Sequence, residues 1–144
     1  MAKLYTSGLL RGNKMVVGFV LESEQENYYE SMVVIHPNPS NITVELLAVL
    51  TALRFIRSQN KEVEVLYSNM AYLINAFRED SLIDNWLENN QGGYDSLDIK
   101  EINIIESIYN LATGSICFIN TDGISNHFVK LADKLAEKRM NEIT

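Results

Sequence analysis

The sequence has little cysteine, no long apolar run and no excess of basic residues. Cys117 is the only cysteine, which excludes an internal disulfide and a cysteine zinc cluster; we predict that its side chain is a buried small apolar group. The longest apolar runs, such as 15–21 and 46–50, are far shorter than the ~20 residues of a membrane-spanning helix. With no secretory signal pattern at the N-terminus, we expect a cytoplasmic location and no membrane partner.

Basic residues are outnumbered, since 12 Lys and Arg stand against 19 Asp and Glu and the formal net charge is −7. Domains that bind nucleic-acid phosphates usually carry a basic patch, because binding releases counterions. The densest basic group, Lys134, Lys138 and Arg139, is interpreted as cations placed favourably near the C-terminus of the last helix. The charge therefore does not by itself favour nucleic-acid binding.

The composition is that of a folded chain, with 47% hydrophobic residues in 144, and we predict one α/β domain over 1–144. The hydrophobic patterns predict five strands and five helical segments. The strands are 3–7, 15–21, 28–35, 62–67 and 115–119; the helical segments are 43–58, 70–78, 83–87, 99–111 and 127–140, with a loop over 88–97.

Five segments of the chain resemble type 1 ribonuclease H, and they occur in the same order as in that family. They are 5–13 (YTSGLLRGN), 44–53 (VELLAVLTAL), 66–73 (LYSNMAYL), 85–86 (NW) and 132–136 (ADKLA). The resemblance implies the ribonuclease-H-like fold. This fold is a five-stranded mixed sheet, with three antiparallel strands and then two parallel additions, flanked by helices.

The resemblance also implies a magnesium site. The family hydrolyses the RNA strand of an RNA–DNA hybrid with two magnesium ions held by four carboxylates. The matching positions in this chain are Ser7, Glu45, Asn69 and Asp133, so two of the four carboxylates are replaced by neutral groups. Neither a hydroxyl nor an amide offsets the repulsion between two divalent cations. We expect at most one weakly bound Mg²⁺, held by Glu45 and Asp133.

The substrate-binding positions are reduced as well. Asn13 and Asn41 match polar positions that contact the hybrid in the family, whereas the family's basic projection after the tryptophan is replaced here by acidic and amide residues at 88–95. His127 lies a few residues out of register with a histidine on the family's mobile loop. We favour the interpretation that His127 is a surface residue at a helix start.

The two retained carboxylates also have interpretations that need no metal. Glu45 is near a helix start, where the helix dipole favours a negative side chain. Asp133 is near Lys130 and Lys134 and could be an ordinary solvated helix residue.

We therefore predict a catalytically degenerate ribonuclease-H-like domain that binds a nucleic acid, such as an RNA–DNA hybrid, or a protein. The alternative is an active magnesium-dependent ribonuclease whose site is completed by another carboxylate, such as Asp122 or Glu22. Actin-like ATPases and integrases, which share the wider fold, are disfavoured. The sequence has no glycine-rich phosphate loop, and integrases also need a carboxylate at the position of Ser7.

Overall fold

The computed structural model describes residues 2–69, 99–112, 116–121 and 126–144. The described strands are β1 (Lys3–Arg11), β2 (Lys14–Glu22), β3 (Tyr28–Val34), β4 (Val65–Ser68) and β5 (Cys117–Asn120). The described helices are α1 (Asn41–Ser58), α2 (Ile99–Leu111) and α3 (His127–Ile143). The segments predicted over 70–78, 83–87 and 88–97 lie outside the described residues.

The five strands form one mixed sheet in the order β3-β2-β1-β4-β5. β1 pairs antiparallel with β2, and β2 pairs antiparallel with β3. β4 adds to the other side of β1 in parallel, and β5 adds to β4 in parallel. The predicted fold class, three antiparallel strands followed by two parallel additions, is confirmed.

The β1–β2 hairpin is longer than its sequence pattern predicts. Arg11 pairs with Lys14, so the turn consists of Gly12 and Asn13 alone, and the φ of 64° at Gly12 is what a type II′ turn requires of its first residue. Gly8 lies inside β1 and does not end it. A Cβ atom at Gly8 would lie 2.6 Å from the carbonyl oxygen of Val44, so this glycine is needed for the close approach of α1.

β2 is buried on both faces because a helix packs on each side of the sheet. Met15 and Val17 face α1, whereas Val16 and Val20 face α3. A Cβ atom at Gly18 would lie 2.6 Å from the carbonyl oxygen of Ala132 in α3. Burial on both faces explains why β2 is a continuous apolar run and does not alternate.

The prediction that Cys117 is buried is wrong, because its side chain is exposed. The neighbouring residue Phe118 is only 2% exposed. Successive side chains of a strand point to opposite faces. Because the side chain of Phe118 points into the core, the side chain of Cys117 points away from it.

The interpretation of the basic group at the end of the last helix is also wrong. α3 continues to Ile143 and has no basic residue in its last turn. Arg139 instead bonds to Ser31 on β3, and the carbonyl oxygen of Ile143 accepts a hydrogen bond from Lys14 Nζ at 3.0 Å. The cation at this helix end therefore comes from the β1–β2 hairpin.

Among the described helices, none combines the length and the apolar character that crossing a bilayer requires.

Replacing Gly18 with alanine should destabilise the protein by about 3 kcal/mol, because the new methyl group would overlap the α3 backbone. Gly12→Ala is the matched control. A side chain at Gly12 would meet open space. This substitution should lower the free energy of unfolding by only about 1 kcal/mol, because alanine disfavours a positive φ. Urea unfolding of both variants measures the difference, and a smaller loss for Gly18→Ala than for Gly12→Ala would contradict this packing.

Candidate functional site

Ser7 and Asp133 meet between β1 and α3. The Ser7 Oγ donates a hydrogen bond to Asp133 Oδ1 at 2.6 Å. Ser7 pairs with Gly18 on β2, where the α3 backbone approaches the sheet closely. Asp133 is exposed as a residue, but its carboxylate is not merely solvated, because one oxygen is held by a serine 126 positions away in sequence.

Glu45 reaches the same region from α1. Its Oε1 accepts a hydrogen bond from the backbone N–H of Gly8 at 3.3 Å. Its Oε2 is buried and has no hydrogen-bond partner among the described residues. The first turn of α1 has no acidic residue, and the helix is capped by the Ser40 side chain, which accepts from Thr43 N. The helix-dipole interpretation of Glu45 is therefore wrong: Glu45 lies beyond the first turn and its carboxylate faces β1.

Asn69 completes the group from the end of β4. Its side chain is hydrogen-bonded to Glu45. The parallel register pairs Tyr5 with Tyr67, and Asn69 directly follows the last residue of β4. The structure thus brings together all four positions, Ser7, Glu45, Asn69 and Asp133, around the middle of β1 and the end of β4.

Burial raises the pKa of Glu45 from its ordinary value of 4.5 to about 7. The nearby charge of Asp133 raises this pKa further, whereas the hydrogen bonds from Gly8 and Asn69 lower it. The two donors do not offset the desolvation, since the other carboxylate oxygen is buried without a partner among the described residues. Near neutral pH, Glu45 therefore exchanges between its protonated and ionised forms.

These groups do not fit two magnesium ions. Glu45 and Asp133 supply a charge of at most −2, and less when Glu45 is protonated, whereas two Mg²⁺ ions carry +4. The orphaned Glu45 Oε2 could take a proton or one hard cation. In the described part of the chain, no group of three or more His, Cys, Asp or Glu side chains could hold a metal ion.

The other residues singled out from the sequence lie at the surface. Asn41 is the exposed first residue of α1 and is on the same helix face as Glu45, four positions later. Asn13 is exposed in the hairpin turn, roughly 20 Å along the strand from Ser7. His127 is the exposed first residue of α3, as its interpretation as a helix-start surface residue predicts.

Of the two alternative carboxylates, Glu22 does not join the four groups. Glu22 accepts a hydrogen bond from the Tyr5 hydroxyl at 2.8 Å. It lies four residues beyond Gly18, the partner of Ser7, which corresponds to roughly 13 Å along β2. Asp122 lies outside the described residues.

Sequence reasoning missed two features of this region. The first is the backbone N–H of Gly8, which belongs to the quoted motif but was not identified as a donor. The second is a stack of aromatic rings near Ser7. The ring centroid of Tyr5 lies 4.6 Å from that of Tyr67 and 5.4 Å from that of Phe128. Burial and the contact with Glu22 raise the pKa of Tyr5, so its hydroxyl stays protonated. Three aromatic residues far apart in sequence give no local signal.

In the absence of divalent ions, folding stability should fall as pH rises from about 4.5 to about 7. The folded protein binds the Glu45 proton more tightly than the unfolded chain, so the stabilisation is complete below the unfolded pKa and is lost as Glu45 ionises. At about 1.4 kcal/mol per pKa unit, the loss is at most roughly 3 kcal/mol.

Glu45→Gln should remove this pH dependence, whereas Glu62→Gln, at an exposed glutamate, should retain it. Urea unfolding in EDTA across this pH range measures both. Parallel stability curves for the wild-type protein and Glu45→Gln would contradict the raised pKa.

Comparisons with known proteins agree with this fold. No protein-family model matches the sequence. The chain is 25% identical over 144 residues to a ribonuclease H of Thermoanaerobacter sp., covering 99% of this chain and 91% of that protein. It is 33% identical over 84 residues to a ribonuclease H of Symbiobacterium thermophilum, but that alignment covers only 58% of this chain and 52% of the relative.

Solved structures resemble the chain over nearly its whole length. RNase H1 from Halobacterium salinarum superposes with a TM-score of 0.64 at 18% identity, covering 98% of both chains. LC11-RNase H1, isolated from compost, superposes with a TM-score of 0.67 at 17% identity, covering 99% of this chain and 96% of that one. At such identities the superposition shows the fold, and together with the sheet order it establishes that this chain has the ribonuclease-H-like fold.

Proposed function

We propose that this chain is a ribonuclease-H-like domain that has lost two-metal hydrolysis and serves as a binding module. The hydrogen bond from Ser7 to Asp133 is the observation that carries the proposal. A neutral donor occupies the first-strand position where the resemblance implies a carboxylate that bridges both metals.

The hydrogen bonds of the site support the same conclusion. Each retained carboxylate accepts from neutral donors: Asp133 from Ser7, and Glu45 from Gly8 and Asn69. Such donors can stabilise an ionised carboxylate, which is a role that a bound cation would otherwise have. These hydrogen bonds can therefore hold the two carboxylates in place without a pair of metal ions.

An RNA–DNA hybrid is the first ligand to test. LC11-RNase H1 and the foamy viral protease-reverse transcriptase, both with TM-scores above 0.6, have been solved in complex with RNA/DNA hybrid. The exposed Asn13 and Asn41 are the residues of this chain that the resemblance places on that surface.

A protein partner is the second candidate, and the distribution of charge favours it. The net charge is −7. Beside Asn13, Arg11 donates to Asn141 and Thr144 and Lys14 donates to Ile143 O, so both cations are already engaged with α3. Phosphate contacts depend on available cations.

The wild-type protein should not cleave a labelled RNA–DNA hybrid in Mg²⁺ or Mn²⁺ above the level of Glu45→Gln/Asp133→Asn. Restoring the carboxylates with Ser7→Asp/Asn69→Asp provides the charge that two divalent cations need. We expect this variant to gain metal-dependent cleavage, measured by gel electrophoresis. Cleavage by the wild-type protein that Glu45→Gln/Asp133→Asn abolishes would refute the loss of activity.

Hybrid binding should depend on Asn13 and Asn41. Because a typical hydrogen bond contributes about 1 kcal/mol net, Asn13→Ala/Asn41→Ala should weaken binding roughly tenfold or more in fluorescence anisotropy with EDTA present. Asn103→Ala, at an exposed position on α2, is the matched control. No measurable binding of hybrid by the wild-type protein would leave the protein partner as the proposed ligand.

A further inference from the structure

Among the described strands, β3 stands at one edge of the sheet, and its surface is apolar. It pairs with β2 on one side and stands first in the strand order. Among the described residues, the exposed large hydrophobic side chains are Tyr29 (49% exposed), Val33 (49%) and Ile35 (93%), all on β3 or one residue past its end. Regular strands with exposed apolar side chains at an edge are templates for pairing with another chain.

The middle of this edge is covered by two charged side chains. The backbone N–H of Ser31 donates to Glu30 Oε1 at 3.1 Å. The carbonyl oxygen of Ser31 accepts from Arg139 Nη2 at 3.4 Å. In an antiparallel strand the N–H and C=O of one residue point to the same side, so both Ser31 groups lie on the free side and both are bonded within the chain.

The two charged residues reach this point from opposite faces of the sheet. Glu30 pairs with Phe19, which packs on the α1 side, whereas Ser31 pairs with Gly18, which faces α3. Arg139 projects from α3 and is held by Ser31 Oγ at 3.2 Å from its Nε and by Glu142 at 3.4 Å from its Nη1. The arrangement therefore ties β3 to α3 while it covers the edge.

We propose that Glu30 and Arg139 form an edge guard that prevents a second copy of this chain from pairing along β3. The strand is suited to such pairing. If two copies met antiparallel about Ser31, Tyr29 of each would lie opposite Val33 of the other, an aromatic–β-branched pair on both sides of the centre. The edge guard occupies the backbone groups of Ser31 that this pairing would need.

The test is the oligomeric state of the whole chain after the edge guard is removed. Glu30→Ala/Arg139→Met removes both charged groups and leaves the net charge unchanged. Light scattering should show this variant at twice the 16.4 kDa mass of one chain, with the dimer fraction rising with concentration. The wild-type protein should stay at the single-chain mass.

The matched control is Glu137→Ala/Lys138→Met, which makes the same kind of change at exposed positions of α3. It should stay at the single-chain mass. Adding Val33→Lys to the variant without the edge guard places a charge on the exposed side of β3, and it should restore the single-chain mass.

Three results would overturn the proposal: a variant without the edge guard that stays at the single-chain mass, a wild-type protein that already pairs through β3, or dimers that Val33→Lys leaves intact. Circular dichroism establishes that each variant is folded. If the double variant does not fold, the single variants Glu30→Ala and Arg139→Met test the proposal separately. Each should then show a larger dimer fraction than the wild-type protein.

Discussion

Two helices pack against opposite faces of the β1–β2 hairpin at Gly8 and Gly18, and the candidate site depends on this close contact. Gly8 lies under the start of α1 and Gly18 lies under α3, each with helix backbone where a Cβ would be. Ser7 is next to Gly8 in sequence and opposite Gly18 in the ladder. The same approach that fills the core therefore brings Glu45 and Asp133 to the two sides of one short stretch of β1.

Hydrogen bonds between neutral donors and carboxylates hold this region together. Ser7, Gly8 and Asn69 supply the donors. The arrangement leaves one oxygen of Glu45 buried and unpaired, a costly state for a charged group and the reason that the pKa of Glu45 rises to about 7. Burial of the Glu45 carboxylate thus favours its protonated form more strongly than exposure to water would.

Two cations of this chain link elements of the fold. Lys14 bonds to the end of α3, and Arg139 bonds to Ser31 at the sheet edge. Both link the antiparallel part of the sheet to α3. Such contacts engage these two cations within the fold, in a chain whose formal net charge is −7.

The sequence by itself determined the fold class, because hydrophobic periodicity and the order of the motifs are properties of the chain alone, and it named the four candidate site positions. Only the tertiary structure decided which groups these residues contact. Ser7, the donor to Asp133, is 126 positions away from it in sequence. Lys14, the cation at the end of α3, is 129 positions from Ile143, whose carbonyl oxygen it contacts. The side to which Cys117 points was likewise settled by the packing of Phe118. Such contacts depend on which distant elements the fold brings together, and no local pattern records them.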